Sequence, residues 1–514
     1  MEHRECIRLA SLAVFLYKFL ILKFFGSRER IPNAYYYLYY ARWRTFITNA
    51  PVALLITVMV LSSGCAGPLA DPLDASSDIW HETPTLEAPA EPSKPETATV
   101  PDGPLTLESC LTLALANNPG LRATGDEAGR AAAEADLART AAWPRLDGVA
   151  GYTHELNDQR LVPARRNGEP GAFADDFASA DLVLTMPLFT GGQIINRIRA
   201  AELLEAAAAH RLSRSRHELA FNVTSLFHSM LAQQRFIESA EFSRRAIEQQ
   251  RDRIRQLVEA QKAANVDLLR TEVRLADIDQ RLIAERNRLE IQRRTLGTLL
   301  GVSEQSIEIT GDLETDSDET VTRPATASVL RQRHDYLAAG AGVEAERHRL
   351  EAAKGARWPQ ISARASYGGR YGIDADGPSG ADDLEDVGTV GVFVTIPLFD
   401  SGQIAAEELR QRFALSGQRQ RLRELELRIG LEVESAWLNI QSSTERIDAT
   451  RTAVKQAEEG LRIERVKYDQ GKGTITDVLD AQSALLVAQT TYYRALADRR
   501  IALAQLKLAM GEMP

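Results

Sequence analysis

The sequence predicts an α+β membrane protein whose long α-helical hairpins and four membrane-crossing β-strands per chain arise by internal duplication. Three observations predict it. The stretch "TMPLFTGGQI" (Thr185 to Ile194) returns as "TIPLFDSGQI" (Thr395 to Ile404), 210 residues later. No proline occurs between Pro187 and Pro324, or between Pro397 and Pro514, and each span carries an apolar seam. Ahead of each span lie two strand-like runs with weak alternation.

The amino-terminal segment (1–64) has the order of an export signal. A basic start, an apolar run from Pro51 to Leu61 and small residues lead to Cys65. Ser-Ser-Gly-Cys resembles a bacterial lipobox, which makes Cys65 the candidate lipidation site. An ordinary signal peptide with an incidental cysteine is the alternative. The Tyr-rich segment upstream does not fit a signal, and no Met lies between Met1 and Met59, so translation is expected to start near residue 40 at a non-ATG codon. Residues 65–104 hold eight prolines among Ala, Glu and Thr, a composition that cannot bury a core and reads as an extended tether.

The first repeat is expected over 105–301, a connector over 302–325 and the second repeat over 326–511. Each begins with about thirty helical residues, opened in the first by Thr106 as N-cap, and ended by Trp-Pro because proline and its predecessor leave the helix. Strand runs of about ten residues follow at 145–154 and 180–189, then at 360–371 and 388–399, a length that suits a tilted strand crossing an outer membrane. The loop 372–388 carries six carboxylates and no Lys or Arg, so it is expected to be solvated.

The proline-free spans predict helices roughly 110 Å long at 1.5 Å per residue. In the first, Val223, Leu226, Met230, Ile237, Ala240, Ile247, Ile254 and Val258 recur by three, four or seven. In the second, Val433, Ala436, Ile440, Ile447, Val454, Ala457 and Leu461 do the same, a coiled-coil seam interrupted in the first helix by Arg244 and Arg251. Both helices break at matching places, with Asn265 and Thr474 as expected N-caps of the helices that resume. The strand-to-helix joints fall at Pro187, Gly192, Pro397 and Gly402.

Four strands cannot close a barrel, and open edges in lipid are costly, so other copies must complete the sheet. Two copies give eight strands with a filled lumen, three give twelve with an open one, and a homotrimer is favoured. The formal charge of −10, with residues 66–514 more acidic than the whole, argues against a nucleic-acid partner. Three cysteines write no disulfide framework, the eight histidines show no metal-ligand spacing, and no nucleophile motif, P-loop or dinucleotide fingerprint is present, so neither enzyme activity nor a cofactor is expected.

The paired Trp-Pro strands, the paired Pro-Leu-Phe-x-x-Gly-Gln helix starts and "YDQGKGTITDVLDAQSAL" resemble the TolC-type outer-membrane efflux channels, over roughly residues 105–511. That resemblance implies a trimer with a twelve-stranded barrel, a helical tunnel and an equatorial collar at the connector. It implies docking to a periplasmic adaptor (a membrane fusion protein) and to an inner-membrane pump of the RND or ABC kind, in the outer membrane of a Gram-negative-type bacterium. It also implies that Asp477 and Asp480 ring the periplasmic aperture and that Tyr468 helps to hold it closed. Where the best-known member has an arginine, this chain has Gly473, with Lys472 beside it. Asp477 equally suits a capping box with Thr474, and the two roles are compatible. Asp480 can instead pair with Arg270. Ala263, Ala264, Gly471, Lys472 and Gly473 form the hairpin tips, small enough for close approach by adaptor helices. A coiled-coil lipoprotein without channel activity and a periplasmic adaptor are the competing readings.

Overall fold

The computed structural model describes residues 103–160, 173–302, 307–314, 322–373 and 385–514. The chain divides into two units, 1–94 and 95–514, and every described residue belongs to the second. The signal region, Cys65, almost all of the tether and loop residues 374–384 lie outside the described residues.

Each repeat opens with two helices rather than the single one expected. In the first they are α1 (Leu107–Asn117) and α2 (Pro119–Thr140). Thr106 caps α1, accepting from the Ser109 N–H. Asn118 is extended and accepts from the Leu121 N–H at 2.9 Å, while Pro119 needs no N–H in the first turn; together they end one helix and start the next. In the second repeat α5 (Thr326–Gln332) and α6 (His334–Gly355) are separated by an extended Arg333. Arg333 is only 1% exposed, and it donates to Asp335 and Glu432 and to the Ala509 carbonyl in the last turn of the final helix. One guanidinium thereby ties three helices.

The strands are β1 (Arg145–Arg160), β2 (Phe173–Phe189), β3 (Gln360–Ile373) and β4 (Glu385–Thr395). Three of the four are longer than the ten or so residues expected, because pairing continues into segments whose composition reads as loop. They form one antiparallel sheet in the order β1-β2-β3-β4, so the two repeats meet at the β2–β3 pair and the outer edges of β1 and β4 are left open. Pro187 does not end its strand: β2 runs on to Phe189 through a register shift. The last β1 partner is Thr185, so beyond it β2 bonds only to β3 and a missing N–H costs nothing on the other side. Pro397 does follow the end of β4 at Thr395.

The register sorts the sheet into two faces. One carries Leu146, Tyr152, Leu182, Leu184, Met186, Ala365, Tyr367, Val390, Val392 and Val394. The other carries Arg145, Asp147, Asp181, Thr185, Arg364, Ser366, Arg370 and Thr389 together with Val149, Val183 and Phe393, and its ion pairs are Arg145–Asp147 at 2.7 Å and Arg370–Asp181 at 2.8 Å. Trp143 and Trp358, both more than half exposed, stand at the helix end of the strands, nine positions before Tyr152 and Tyr367. An apolar band edged by aromatics is the pattern of a lipid-facing barrel wall.

The helical hairpins are α3 (Gln193–Glu259) with α4 (Asn265–Leu300), and α7 (Gln403–Asp469) with α8 (Ile475–Met510). Every one of these boundaries repeats at the 210-residue offset. The seam is buried where expected at Val223, Met230, Ile237, Ala240, Ile247 and Ile254, facing Leu275, Ile278, Leu282, Leu289 and Leu296 of α4. Phe227 takes the buried place assigned to Leu226, which is half-buried beside it. Arg244 does not break the seam: its Nε donates to Asp279 of α4 at 2.5 Å while its stem crosses the interface. In the second repeat Val433, Ala436, Ile447 and Leu461 are buried, and α8 packs along both α7 and α3. The connector is docked, with Ile309 bridged in parallel to Leu105 and Leu313 buried against the same core.

Candidate functional site: hairpin tips and strand-helix joints

Both joints turn by the same device. Gly191 and Gly192 have φ of 61° and 81°, and Ser401 and Gly402 have 55° and 87°, a pair of left-handed residues before each long helix. At Gly191 glycine is also demanded by space, since a Cβ there would lie 2.3 Å from the Gly355 carbonyl oxygen and 2.7 Å from Trp358 Cβ. At Gly402 there is open space. The first joint is thus wedged against the α6–β3 corner of the second repeat. At the second joint the Asp400 carboxylate accepts from the Gly402 and Ile404 N–H groups at 3.0 and 2.8 Å, filling orphan donors of α7.

The two tips share one backbone path. After α3, Gln261 is left-handed (φ 60°) and the Lys262 N–H bonds to the Leu257 carbonyl at 2.7 Å. After α7, Gly471 is left-handed (φ 71°) and the Lys472 N–H bonds to the Lys467 carbonyl at 2.8 Å. This 6→1 closure satisfies terminal carbonyls in both hairpins. Ala264, Gly471 and Lys472 are exposed, as a docking surface requires, while Ala263 and Gly473 are half-buried. A side chain at Gly473 would press on Lys467 and the Tyr468 backbone, so this tip is built without one.

The starts of the returning helices differ. Thr474 and Asp477 form a reciprocal capping box: the Asp477 carboxylate accepts the Thr474 N–H at 3.0 Å and the Thr474 hydroxyl accepts the Asp477 N–H at 3.3 Å. The Thr474 hydroxyl and then its N–H hold the Asp477 pKa below the ordinary carboxylate value. The expected Asn265 cap is not made; Asn265 is the first residue of α4, and Ala264 occupies the cap position with no side-chain bond.

Asp480 is exposed three residues on, its neighbours Val478 and Leu479 turned into the core. Its partner is Arg274 at 3.3 Å, not Arg270, which donates instead to Thr476 at 3.2 Å. Helical side chains lean toward the helix amino-terminus, here the tip. Each arginine of α4 therefore reaches an α8 residue one turn nearer the tip than its equivalent position. A third link, Arg253–Asp469 at 3.0 Å, joins the ends of α3 and α7, and Gln482 donates to the buried Ser243 at 3.2 Å. Tyr468 is half-buried in the core between the hairpins, and burial, then the charge of Asp267, raises its phenol pKa. Arg253 and Arg274 were missed in the sequence, and Arg270 was expected there but with Asp480 rather than Thr476 as its partner. The available signal was that Arg270 and Arg274 are four apart, on one face of α4.

This arrangement contains a four-stranded sheet with one mainly apolar face, two polar-sided helical hairpins, and tips held side by side by three polar links. The family model described as "Outer membrane efflux protein" matches residues 110–302 and 326–512. The chain belongs to the outer membrane efflux protein family. Among its relatives, the cobalt-zinc-cadmium resistance protein CzcC of Cupriavidus metallidurans is 25% identical over 406 residues, covering 77% of this chain and 87% of the relative. The outer membrane protein TolC of Escherichia coli is 22% identical over 409 residues, covering 77% and 80%. The crystal structure of CusC superposes with a TM-score of 0.70 at 18% identity, covering 82% of this chain and 98% of that one, which shows the shared fold. The two matched segments coincide with the two structural repeats. This outer membrane efflux protein is a duct of a tripartite efflux or secretion system, and it acts at the outer membrane. The expected fold class, helical hairpins joined to β-strands by internal duplication, holds.

Proposed function

We propose that three copies of this chain close a twelve-stranded barrel, with the helical hairpins forming a tunnel whose far mouth is the hairpin tips. The observation that carries this reading is the open sheet, mainly apolar on one face, bearing Arg145, Arg364 and Arg370 with Asp147 and Asp181 on the other, and unpaired at the outer edges of β1 and β4. Joining the β4 edge of one copy to the β1 edge of the next satisfies both edges and turns the polar face inward. Twelve strands leave a lumen wider than side chains can fill.

At the mouth, Asp477 and Asp480 are the aperture residues, and Tyr468 and the arginine links keep each chain's hairpins together in the closed state. Asp477 serves as cap and ring carboxylate at once, because its exposed oxygen remains free to face the axis. The tips, Ala263, Ala264 and Gly471 to Gly473, meet a periplasmic adaptor, which couples the duct to an inner-membrane pump. Cys65 carries the lipid anchor. The pump, rather than the duct, selects the cargo.

The test is conductance of the purified oligomer in planar bilayers, with its mass measured by native mass spectrometry. A trimer with discrete channels is expected. A conductance-free oligomer overturns the duct reading, and a stable dimer or tetramer overturns the stoichiometry. For the aperture, Asp477→Ala with Asp480→Ala is expected to relieve block by multivalent cations added at the tip side. Unchanged block removes the aspartates from that role.

A further inference from the structure

Among the described residues, three groups of polar or titratable side chains outside the tip site stand out. One is the set of exposed His154 and half-buried Asp175 and Asp176 at the outer end of β1–β2. Another is the histidine group His210, His217 and His334 between α3 and α6. The third, on the polar face of the sheet, goes furthest because the strand register alone defines it.

Arg145 on β1 lies opposite Thr185 on β2, and Thr185 lies opposite Arg364 on β3. The two arginines therefore stand at one level, two strands apart, about 10 Å at the usual strand spacing. Both belong to the face that carries Asp147, Asp181 and Arg370. Arg370 is neutralised by Asp181, and Arg145 by Asp147. Among the described residues no carboxylate pairs with Arg364. Its guanidinium lies over the Phe393 ring, 5.6 Å from the centroid, and the side chain is exposed. Each chain thus presents two arginines and one aspartate at the tunnel end of its sheet.

This band would be unexplained on a wall facing lipid, where an arginine is expensive. On the inner wall it has a use. With the trimeric barrel proposed above, on which this inference rests, Arg145 and Arg364 recur on every second strand around the lumen. Six guanidiniums and three carboxylates then leave an excess of positive charge on a confined polar wall, and low-dielectric walls focus such a field.

We propose that Arg145 and Arg364 form a lumenal anion-binding girdle at the junction of barrel and tunnel. It holds polyanionic groups, phosphate or carboxylate, as they pass, and it gives the barrel segment an anion preference. The carboxylates of the tips lie at the other end of the tunnel with the opposite sign. Cargo bearing both charges meets an attractive ring at each end.

The test uses the purified full-length oligomer in planar bilayers at low salt, with inorganic tripolyphosphate as the probe, added to each compartment in turn. The wild type is expected to be blocked, more strongly from the barrel side. Arg145→Ser with Arg364→Ser is expected to raise the half-blocking concentration at least about tenfold, since a few contact charge pairs are lost. Arg145→Lys with Arg364→Lys keeps the charge and is expected to retain block. A conducting wild type that tripolyphosphate does not block, or block that survives the serine exchange, overturns the girdle while leaving the duct standing. Absence of conductance in the wild type overturns the duct itself.

Discussion

Removing the links between the two hairpin tips is expected to open the periplasmic mouth. The perturbation is Arg253→Ser with Arg274→Ser, which takes away the pairs to Asp469 and Asp480 but leaves the capping box of Thr474 and Asp477 intact. The pairs are 3.0 and 3.3 Å long, and their side chains are 57%, 49%, 30% and 70% exposed, so solvent screens both. Exposed pairs contribute roughly 0.2–1 kcal/mol each. Loss of both therefore costs the closed arrangement about 0.4–2 kcal/mol, a factor of roughly 2–30 in the closed-to-open ratio. The assay is single-channel recording, reading mean conductance and open probability at about 0.1 and 1 M salt. Because the screening length falls from about 10 to about 3 Å over that range, the wild type in high salt should approach the variant in low salt. Equal open probability in wild type and variant at low salt, with no salt dependence in either, refutes the assignment of these arginines to closure.

Three further outcomes are expected. Gly191→Ala should lower the thermal stability of the oligomer well beyond Gly402→Ala, since both residues are left-handed but only Gly191 meets Gly355 and Trp358; the αL cost alone is about 1–2 kcal/mol. Arg333→Met removes a shared partner of Asp335, Glu432 and the Ala509 carbonyl and should lower the denaturation midpoint. The loss should be less than the roughly 3–5 kcal/mol of a fully buried broken pair, because Glu432 is 38% exposed and Asp335 keeps Arg214 at 4.0 Å; a midpoint equal to the wild type removes Arg333 as the tie between helices. His228 is held neutral, its pKa lowered to about 4 from 6.5 by burial and then by Arg500. The unfolded chain therefore takes up a proton that the folded one does not, and stability should be full above pH 6.5 and fall as the pH drops toward 4. His228→Asn should flatten that slope, as read by urea midpoints across the pH range.

The duplication, the hairpins and the number of strands were legible because each depends on local signals: proline placement, seven-residue spacing and turn residues at matching offsets. What the sequence did not disclose depends on a second element being present. Pro187 reads as a strand end, yet the strand continues because its neighbour on one side has already stopped. Asn118 is followed by Pro119 and Gly120, so that break was written locally and was overlooked, whereas Arg333 sits among helix formers and its break is fixed by its ion pairs to Asp335 and Glu432. Asn265 is the better capping residue by type, but the tip backbone is laid down by Gln261 and Lys262 first and leaves Ala264 in the cap position. The pairing of Asp480 with Arg274 depends on the direction in which long side chains lean, which equivalent numbering between repeats conceals. The two faces of the sheet emerged only with the register, since Gly, Ala and Ser dilute the alternation on both.

The long helices of the two repeats are the same length to the residue, 67 in α3 and α7 and 36 in α4 and α8. That equality makes the pair of hairpins a length gauge. One residue inserted in α3 alone would push its tip about 1.5 Å beyond its twin and turn it by about 100°, breaking the register of Arg253, Arg270 and Arg274 with their partners. A matched insertion in both repeats would keep the tips level and lengthen the whole duct. The distance from sheet to tips is thus adjustable only in paired steps, and on the proposed reading an adaptor meeting the tips must be spaced to the same gauge.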